Sequence, residues 1–349
     1  MKNLMDATCA RRISVVALAI AASASVYPAA AQSHAGYRMP DGTVQVVVPA
    51  SLATVVSSLD ELFTSTHNGM HFSVRVGDNY SAMAALSFDR TAFAALGCEF
   101  TRIGLGDNLK ISAEPVGFRL AHASLRPGSG VPMLGVIVHP TNPLVSLSLT
   151  DLERIFAIGA PAGDIALWSQ AGVTGPLGRR AVRPFGPPLS DYLDSDDPQA
   201  GEFLGNTLGG LNMNHSYQPL AHYEDVVARV REDPSAIGIT ALNLPLEDVK
   251  VIALKTTETS AARLPDAAQI LRGGYPLDRF VYLYIRQAKG SPPDTFGLEY
   301  VRAALSDEGQ RRIATDPSGY LPLSPAELAE ERAKLDRASA ADPSAKEAQ

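Results

Sequence analysis

The sequence predicts an α/β protein built from two lobes, each a mostly parallel sheet flanked by helices. Three observations carry that prediction. Short β-branched runs alternate with segments of helical apolar spacing along most of the chain. The 349 residues suffice for two domains of ordinary size. Hydrophobic residues make up 46% and charged residues 19%, the balance of a globular protein rather than a disordered one.

The elements follow in order. TVQVVVPA (43–50) reads as a buried strand. LATVVSSLDELFTSTH then repeats apolar residues at helical spacing: Leu52, Val55, Val56, Leu59, Leu62 and Phe63. A strand at 72–76 stops at Gly77-Asp78-Asn79, and a helix begins near Ser81. PVGFRLAHAS and MLGVIVHP are further strands. SLTDLERIFAIG is a helix capped by Ser148 or Thr150 and stopped at Gly159. HYEDVVARVREDPSAIGIT reads as helix, turn and a short strand containing Gly238, and RFVYLYIRQ as an alternating strand. TFGLEYVRAALSDEGQRRIAT has the pattern of one long amphipathic helix. The last segment opens on Ser324 as cap with Pro325 at the first helical position, and from about Ala338 its composition is that of a disordered tail.

The first 31 residues differ from the rest. Lys2, Arg11 and Arg12 precede an apolar stretch that ends in Ala29-Ala30-Ala31, the pattern of a secretory signal cut near Ala31. A periplasmic or secreted protein is therefore expected. The full chain carries a net charge of −7. Removing Lys2, Arg11, Arg12 and Asp6 leaves −9, which argues against a nucleic-acid partner. Only Cys98 then remains, so no internal disulfide is available. No later segment is long and apolar enough to span a bilayer.

Motifs for metalloproteases, nucleotide-binding loops, nucleophile elbows and dithiol sites are absent from the sequence. His67 and His71 straddle a turn with no third metal ligand nearby in sequence. No enzyme, cofactor or metal is expected.

GVIVHPTNPLVSLSLTDLERIF resembles the second-lobe entry of the periplasmic phosphate-binding proteins that serve ABC transporters. Four further stretches are similar to that family in the same order: ALWSQAGVTGPLGRRAVRPFG, EDVVARVREDPSAIGIT, YPLDRFVYLYI and ALSDEGQRRIATDPSGYLPL. Together they cover most of residues 40–323. The resemblance implies a periplasmic-binding-protein-like fold with two lobes joined by two crossing strands. Lobe one would comprise 38–135 plus 270–323 and lobe two 136–269, after a signal at 1–31 and before a C-terminal helix and tail at 324–349. It also implies a monomer that holds a small oxyanion between the lobes, at helix N-termini whose N–H groups favour anions, for delivery to an ABC transporter permease.

Carried over position by position, the resemblance makes Ser51, Asn79, Tyr80 and Ser81 the cleft donors, with Ser190 and Asp191 in the second lobe and Arg102 or Arg183 as charge partners. Asp78 or Asn79 as a plain helix cap is the simpler reading of the 77–81 turn. Three departures bear on the site. Pro49 removes an amide donor beside Ser51. Cys98 stands where the family carries arginine, either as a small core residue or as a ligand-facing thiol. After Phe185-Gly186 the chain runs through an Asp/Pro-rich segment. Counting back from Leu208-Gly209-Gly210 puts Asp197-Pro198 where the family has Ser-Gly, and counting forward from Gly186 puts Ser190-Asp191 there. Either count brings an aspartate near the expected anion. Two rivals follow: a degenerate relative that acts as an envelope interaction module, and a secreted hydrolase using Ser190 or Ser51.

Overall fold

In a computed structural model, the valines of β1 (Val44–Pro49) are buried on both faces, as the run Val46-Val47-Val48 requires. The structure describes residues 35–99, 115–127, 130–188, 197, 199–210, 212–288 and 291–340. The expected signal at 1–31 lies outside them. Among the described residues no helix is long and apolar enough to cross a membrane.

The first sheet orders β13-β4-β12-β3-β1-β2, from β2 (Phe72–Gly77), β3 (Ala94–Leu96), β4 (Val116–Ser124), β12 (Phe280–Ile285) and β13 (Tyr320–Pro322) joined to β1. Helices α1 (Ala53–Thr66), α2 (Asn79–Ser87), α8 (Thr295–Ala304) and α9 (Asp307–Thr315) accompany its strands. The second sheet orders β10-β5-β9-β7-β8, from β5 (Leu134–Val138), β7 (Arg183–Gly186), β8 (Gln218–Pro219), β9 (Ala236–Ala241) and β10 (Lys250–Val251). A small pair, β6 (Ser146–Ser148) with β11 (Ala253–Lys255), stands apart. Helices α3 (Leu149–Phe156), α4 (Gly175–Gly178), α5 (Ala200–Thr207) and α6 (Tyr223–Glu232) lie between these strands in sequence, and α7 (Ala267–Leu271) follows them.

Both sheets are mixed, which corrects the expectation of mostly parallel sheets. β1 runs parallel to β2 and β3, and β7 parallel to β8 and β9. β12 is antiparallel to β3 and β4, β13 to β4, and β5 to β9 and β10. β12 enters the first sheet from residues that follow the second, so its direction is set by that return rather than by a βαβ crossover.

Local chemistry explains the element ends. Ser148, not Thr150, caps α3: its Oγ accepts from Asp151 N at 3.0 Å, and Asp151 Oδ2 accepts from Ser148 N at 3.2 Å. Within β9, Gly238 is needed because a Cβ there would meet Val226 Cγ1 at 2.6 Å, where α6 presses onto the sheet. The stretch 295–315 is two helices, α8 and α9, rather than one. Ser306 adopts an extended backbone, accepts from Gly309 N at 3.0 Å and donates to Ala303 O at 2.7 Å, so it ends one helix and starts the next.

The C-terminal helix α10 spans Pro325–Ala340, and the rest of the expected tail, 341–349, lies outside the described residues. The apolar residues of α10 are few, and ionic contacts dock it. Arg119 Nε donates to the buried Glu331 at 2.6 Å, Arg332 Nε donates to Leu305 O at 2.8 Å, and Leu335 is buried.

Candidate anion site at Arg279

The loop that leads from the second sheet's residues into β12 ends in Asp278-Arg279. Both charges are taken out of water, and each in a different way.

Arg279 is 2% exposed and faces Asp197, which is 6% exposed. Nη1 donates to Asp197 Oδ2, and Nη2 donates to Oδ1 at 3.3 Å, the two-pronged geometry typical of guanidinium and carboxylate. Nη1 also reaches Pro132 O at 3.3 Å, and the guanidinium lies over the Phe203 ring at 5.2 Å. Tyr223 Oη donates to Asp197 Oδ2 at 3.1 Å. Burial opposes the guanidinium's charge, but Asp197, with smaller help from Tyr223 and Cys98, holds its pKa above the ordinary arginine value. The Nε of Arg279, also buried, has no hydrogen-bond partner among the described residues.

Arg279 lines an open cavity of about 240 Å³. Gly97, Cys98 and Glu99 beyond β3, with Asp278, Arg279, Phe280 and Tyr282, form one wall; Phe203, Asn206 and Thr207 of α5 form the other. The cavity thus lies between the first sheet and a helix that follows β7 of the second. Asp197 sits just ahead of α5, its carbonyl accepting from Ala200 N at 3.1 Å.

Asp278 lines the same cavity, but its carboxylate is engaged by His122. His122, fully buried, meets Asp278 through Nδ1 at 2.9 Å and Glu327 through Nε2 at 3.1 Å. Glu327 also accepts from Ser324 Oγ at 2.6 Å and Ser324 N at 2.8 Å, which completes the cap of α10. Burial works against a charged imidazole, yet the two carboxylates outweigh it and raise His122 to about 9. Burial would raise Glu327, but His122 and Ser324 bring it down to about 2, while burial dominates at Asp278 and raises it. These three are the one group among the described residues whose ligand atoms could converge on a metal. Their ligand atoms already bond one another, so the group reads as an ionic clamp on α10.

The residues expected from sequence scatter. Asn79, first in α2, approaches the cavity wall: its Nδ2 lies 4.0 Å from Cys98 Sγ, and its buried Oδ1 has no partner among the described residues. Cys98 is a half-buried cavity residue and not a core one. Ser81 is spent on capping: its N donates to Asp78 Oδ1 at 2.6 Å and its Oγ accepts from Asp78 N at 2.8 Å, so the simpler reading of the 77–81 turn describes this hydroxyl. Tyr80 is half-buried in the same turn and does not line the cavity. Ser51 lies in the 3₁₀ turn after β1, where its carbonyl accepts from Tyr320 Oη at 2.9 Å. Gly130 passes so close to it that an added Cβ would fall 2.5 Å from Ser51 Cα, and Ser51 is not a cavity residue. Arg183 opens β7, half exposed and paired with Asp233 at 2.8 Å, away from the cavity. Arg102, Ser190 and Asp191 lie outside the described residues.

Arg279 is the residue that sequence reasoning missed. Its signal was present: an arginine opening the apolar run FVYLYI, directly after an aspartate. A charge at the mouth of a buried strand has to find a partner or a ligand.

No family model matches the chain. Over 209 residues the sequence is 30% identical to the phosphate-binding protein PstS of Pseudomonas aeruginosa, in strains PAO1 and UCBPP-PA14 alike. The aligned part covers 58% of this chain and 61% of that protein, so the chain spans about three fifths of its relative's length. The fold is shared with an ABC-type phosphate transport receptor from Vibrio cholerae (TM-score 0.54, 16% identity, 80% of this chain and 99% of that one). It is shared as well with PstS from Borrelia burgdorferi (TM-score 0.53, 11% identity, 81% and 99%). The chain is thus similar in sequence to PstS over part of its length and shares the fold of these phosphate receptors.

Proposed function

We propose that this chain is a periplasmic solute-binding protein of the phosphate-binding type, which captures a small oxyanion reversibly and presents it to an ABC transporter. The observation that carries the reading is Arg279: a buried guanidinium on a cavity wall between the two sheets, with one N–H unmet among the described residues. A guanidinium in low dielectric is the group best suited to a tetrahedral oxyanion. Likeness to PstS over part of the chain supports the same class of solute. The lobes of this reading are 38–135 with 270–323 and 136–269, the first boundary falling inside β5 of the second sheet.

Glu99 and Asp278 also line the cavity. Asp278 shares the His122 imidazolium with Glu327, so its charge is partly offset. Glu99 opposes a fully ionised anion but accepts the proton of a monobasic one, so the reading favours hydrogen phosphate species over sulfate. Asn79 adds an amide through its position against Cys98. The role is binding without bond making or breaking.

Isothermal titration of the mature chain with phosphate, sulfate and small carboxylates tests the reading. Heat on phosphate that is weaker or absent on sulfate supports it. Silence across the panel, with no thermal shift, removes it.

The rival role as an envelope interaction module gains one observation, the occupation of Arg279 by Asp197. That occupation has a more specific consequence.

A further inference from the structure

We propose that Asp197 is a tethered anion: its carboxylate holds the face of Arg279 that an incoming oxyanion would use, and solute binds by taking its place. The inference rests on the cavity at Arg279 being the oxyanion site.

Four observations converge. The pairing is two-pronged, the geometry a guanidinium offers equally to carboxylate and phosphate. Arg279 lines an open cavity of about 240 Å³ rather than lying wholly inside close-packed core. Arg279 Nε remains without a partner among the described residues, so the carboxylate does not satisfy this guanidinium. The two charges come from different parts of the fold: Arg279 from the mouth of β12 in the first sheet, Asp197 from the approach to α5, steadied by Tyr223 of α6. The cavity beside Arg279 is the feature that a purely structural pair does not need.

The chemistry makes the two anions exclusive. A carboxylate and an oxyanion on one guanidinium stand a few ångströms apart and repel, so capture requires Asp197 to leave or to be protonated. Asp197 precedes α5 by three residues and is held on its own side chain by Tyr223 and Arg279 alone among the described residues. Its exchange therefore also unties the link between the two sheets' elements. The cleft is set for high solute concentration: the tethered carboxylate competes at every encounter and lowers the affinity.

The test titrates inorganic phosphate into the mature wild type, Asp197→Ser, Asp197→Asn and the double variant Asp197→Leu with Arg279→Met. Thermal unfolding is followed in chloride, phosphate and acetate. Asp197→Ser is expected to bind phosphate at least tenfold more tightly than wild type. Its melting temperature falls in chloride and recovers in phosphate or acetate, which replace the missing carboxylate. The double variant, with both charges gone, folds and binds neither anion. If Asp197→Ser does not fold in chloride, refolding yield in phosphate decides, with Asp197→Asn as the milder probe.

Equal or weaker phosphate affinity in both Asp197→Ser and Asp197→Asn overturns the inference. If wild type binds phosphate tightly in that case, the solute-binding reading stands and Asp197 supports the ligand. Absence of phosphate and acetate binding from wild type and single variants alike overturns both.

Discussion

Asp278 and Arg279 are neighbours in sequence, yet their surroundings follow opposite logics. Asp278 enters a closed set: His122 bonds two carboxylates, Glu327 takes the cap donors of Ser324, and none of these three side chains leaves a buried polar atom without a partner among the described residues. Arg279 enters an open one, with a tight carboxylate, an unmet Nε and a cavity beside it. Both residues line the same cavity, but the closed set pins α10 to β4 while Arg279 keeps an unmet Nε. A satisfied ionic cluster serves the fold, whereas an unsatisfied one beside a cavity marks a site.

The contrast yields measurable differences. The largest effect is expected from Arg279→Met alone, which leaves Asp197 buried without its counter-ion. Urea unfolding should show a loss of about 3–5 kcal/mol, most of it regained when Asp197→Leu is added. A loss below about 1 kcal/mol would mean that the pair is solvated and the cavity more open than described.

The clamp is expected to report its proton. The folded-state pKa of His122 is raised to about 9 from an unfolded value of 6.5. Its contribution is therefore complete below about pH 6.5 and disappears as pH rises through about 9. Stability should fall by about 3 kcal/mol between pH 6 and pH 10, and His122→Gln should flatten that slope. An equal slope in the variant would place the titration elsewhere.

Glu327 has the reverse sign. Its pKa is lowered to about 2 from 4.5, so its stabilisation is present above about pH 4.5 and is lost as pH falls towards 2. Glu327→Gln should cost about 1–2 kcal/mol at pH 7, after allowance for its partial exposure, and little at pH 2.5. Denaturant melts at the two pH values decide this. The smallest effect belongs to Arg183→Ala. Its exposed pair with Asp233 is worth roughly 0.5 kcal/mol or less, and phosphate affinity should be unchanged. A drop in affinity there would restore Arg183 to the site.

Sequence patterns revealed the elements better than their pairing. The valine run of β1, the Ser148 cap and the Ala236–Ala241 strand are written in local periodicity and capping chemistry, and they appear where expected. Strand direction is not local. β12 runs antiparallel to both neighbours because the chain returns to the first sheet from the second, a fact no window of ten residues contains. Ser306 carried a legible cap signal, but the apolar spacing on either side of it continues across the break.

At the site, the count back from Leu208-Gly209-Gly210 brought Asp197 near the expected anion, and Cys98 was read as standing in for a family arginine. Both residues flank Arg279. The arginine itself was hidden because strand patterning counts only which residues are apolar. Its partner lies 82 positions away. Ser81 poses the opposite difficulty: a hydroxyl at a helix start can serve a ligand or its own cap, and here it serves the cap.

The central claim is that an oxyanion and the Asp197 carboxylate compete for one guanidinium. Arsenate has the shape of phosphate and an element that can be located directly by its anomalous scattering. Crystals of wild type and Asp197→Ser soaked in arsenate should show the arsenic within about 4 Å of the Arg279 guanidinium, at lower concentration in the variant, with Asp197 displaced wherever wild type is occupied. Arsenic found away from Arg279, or beside it with the Asp197 pair intact, would contradict the account.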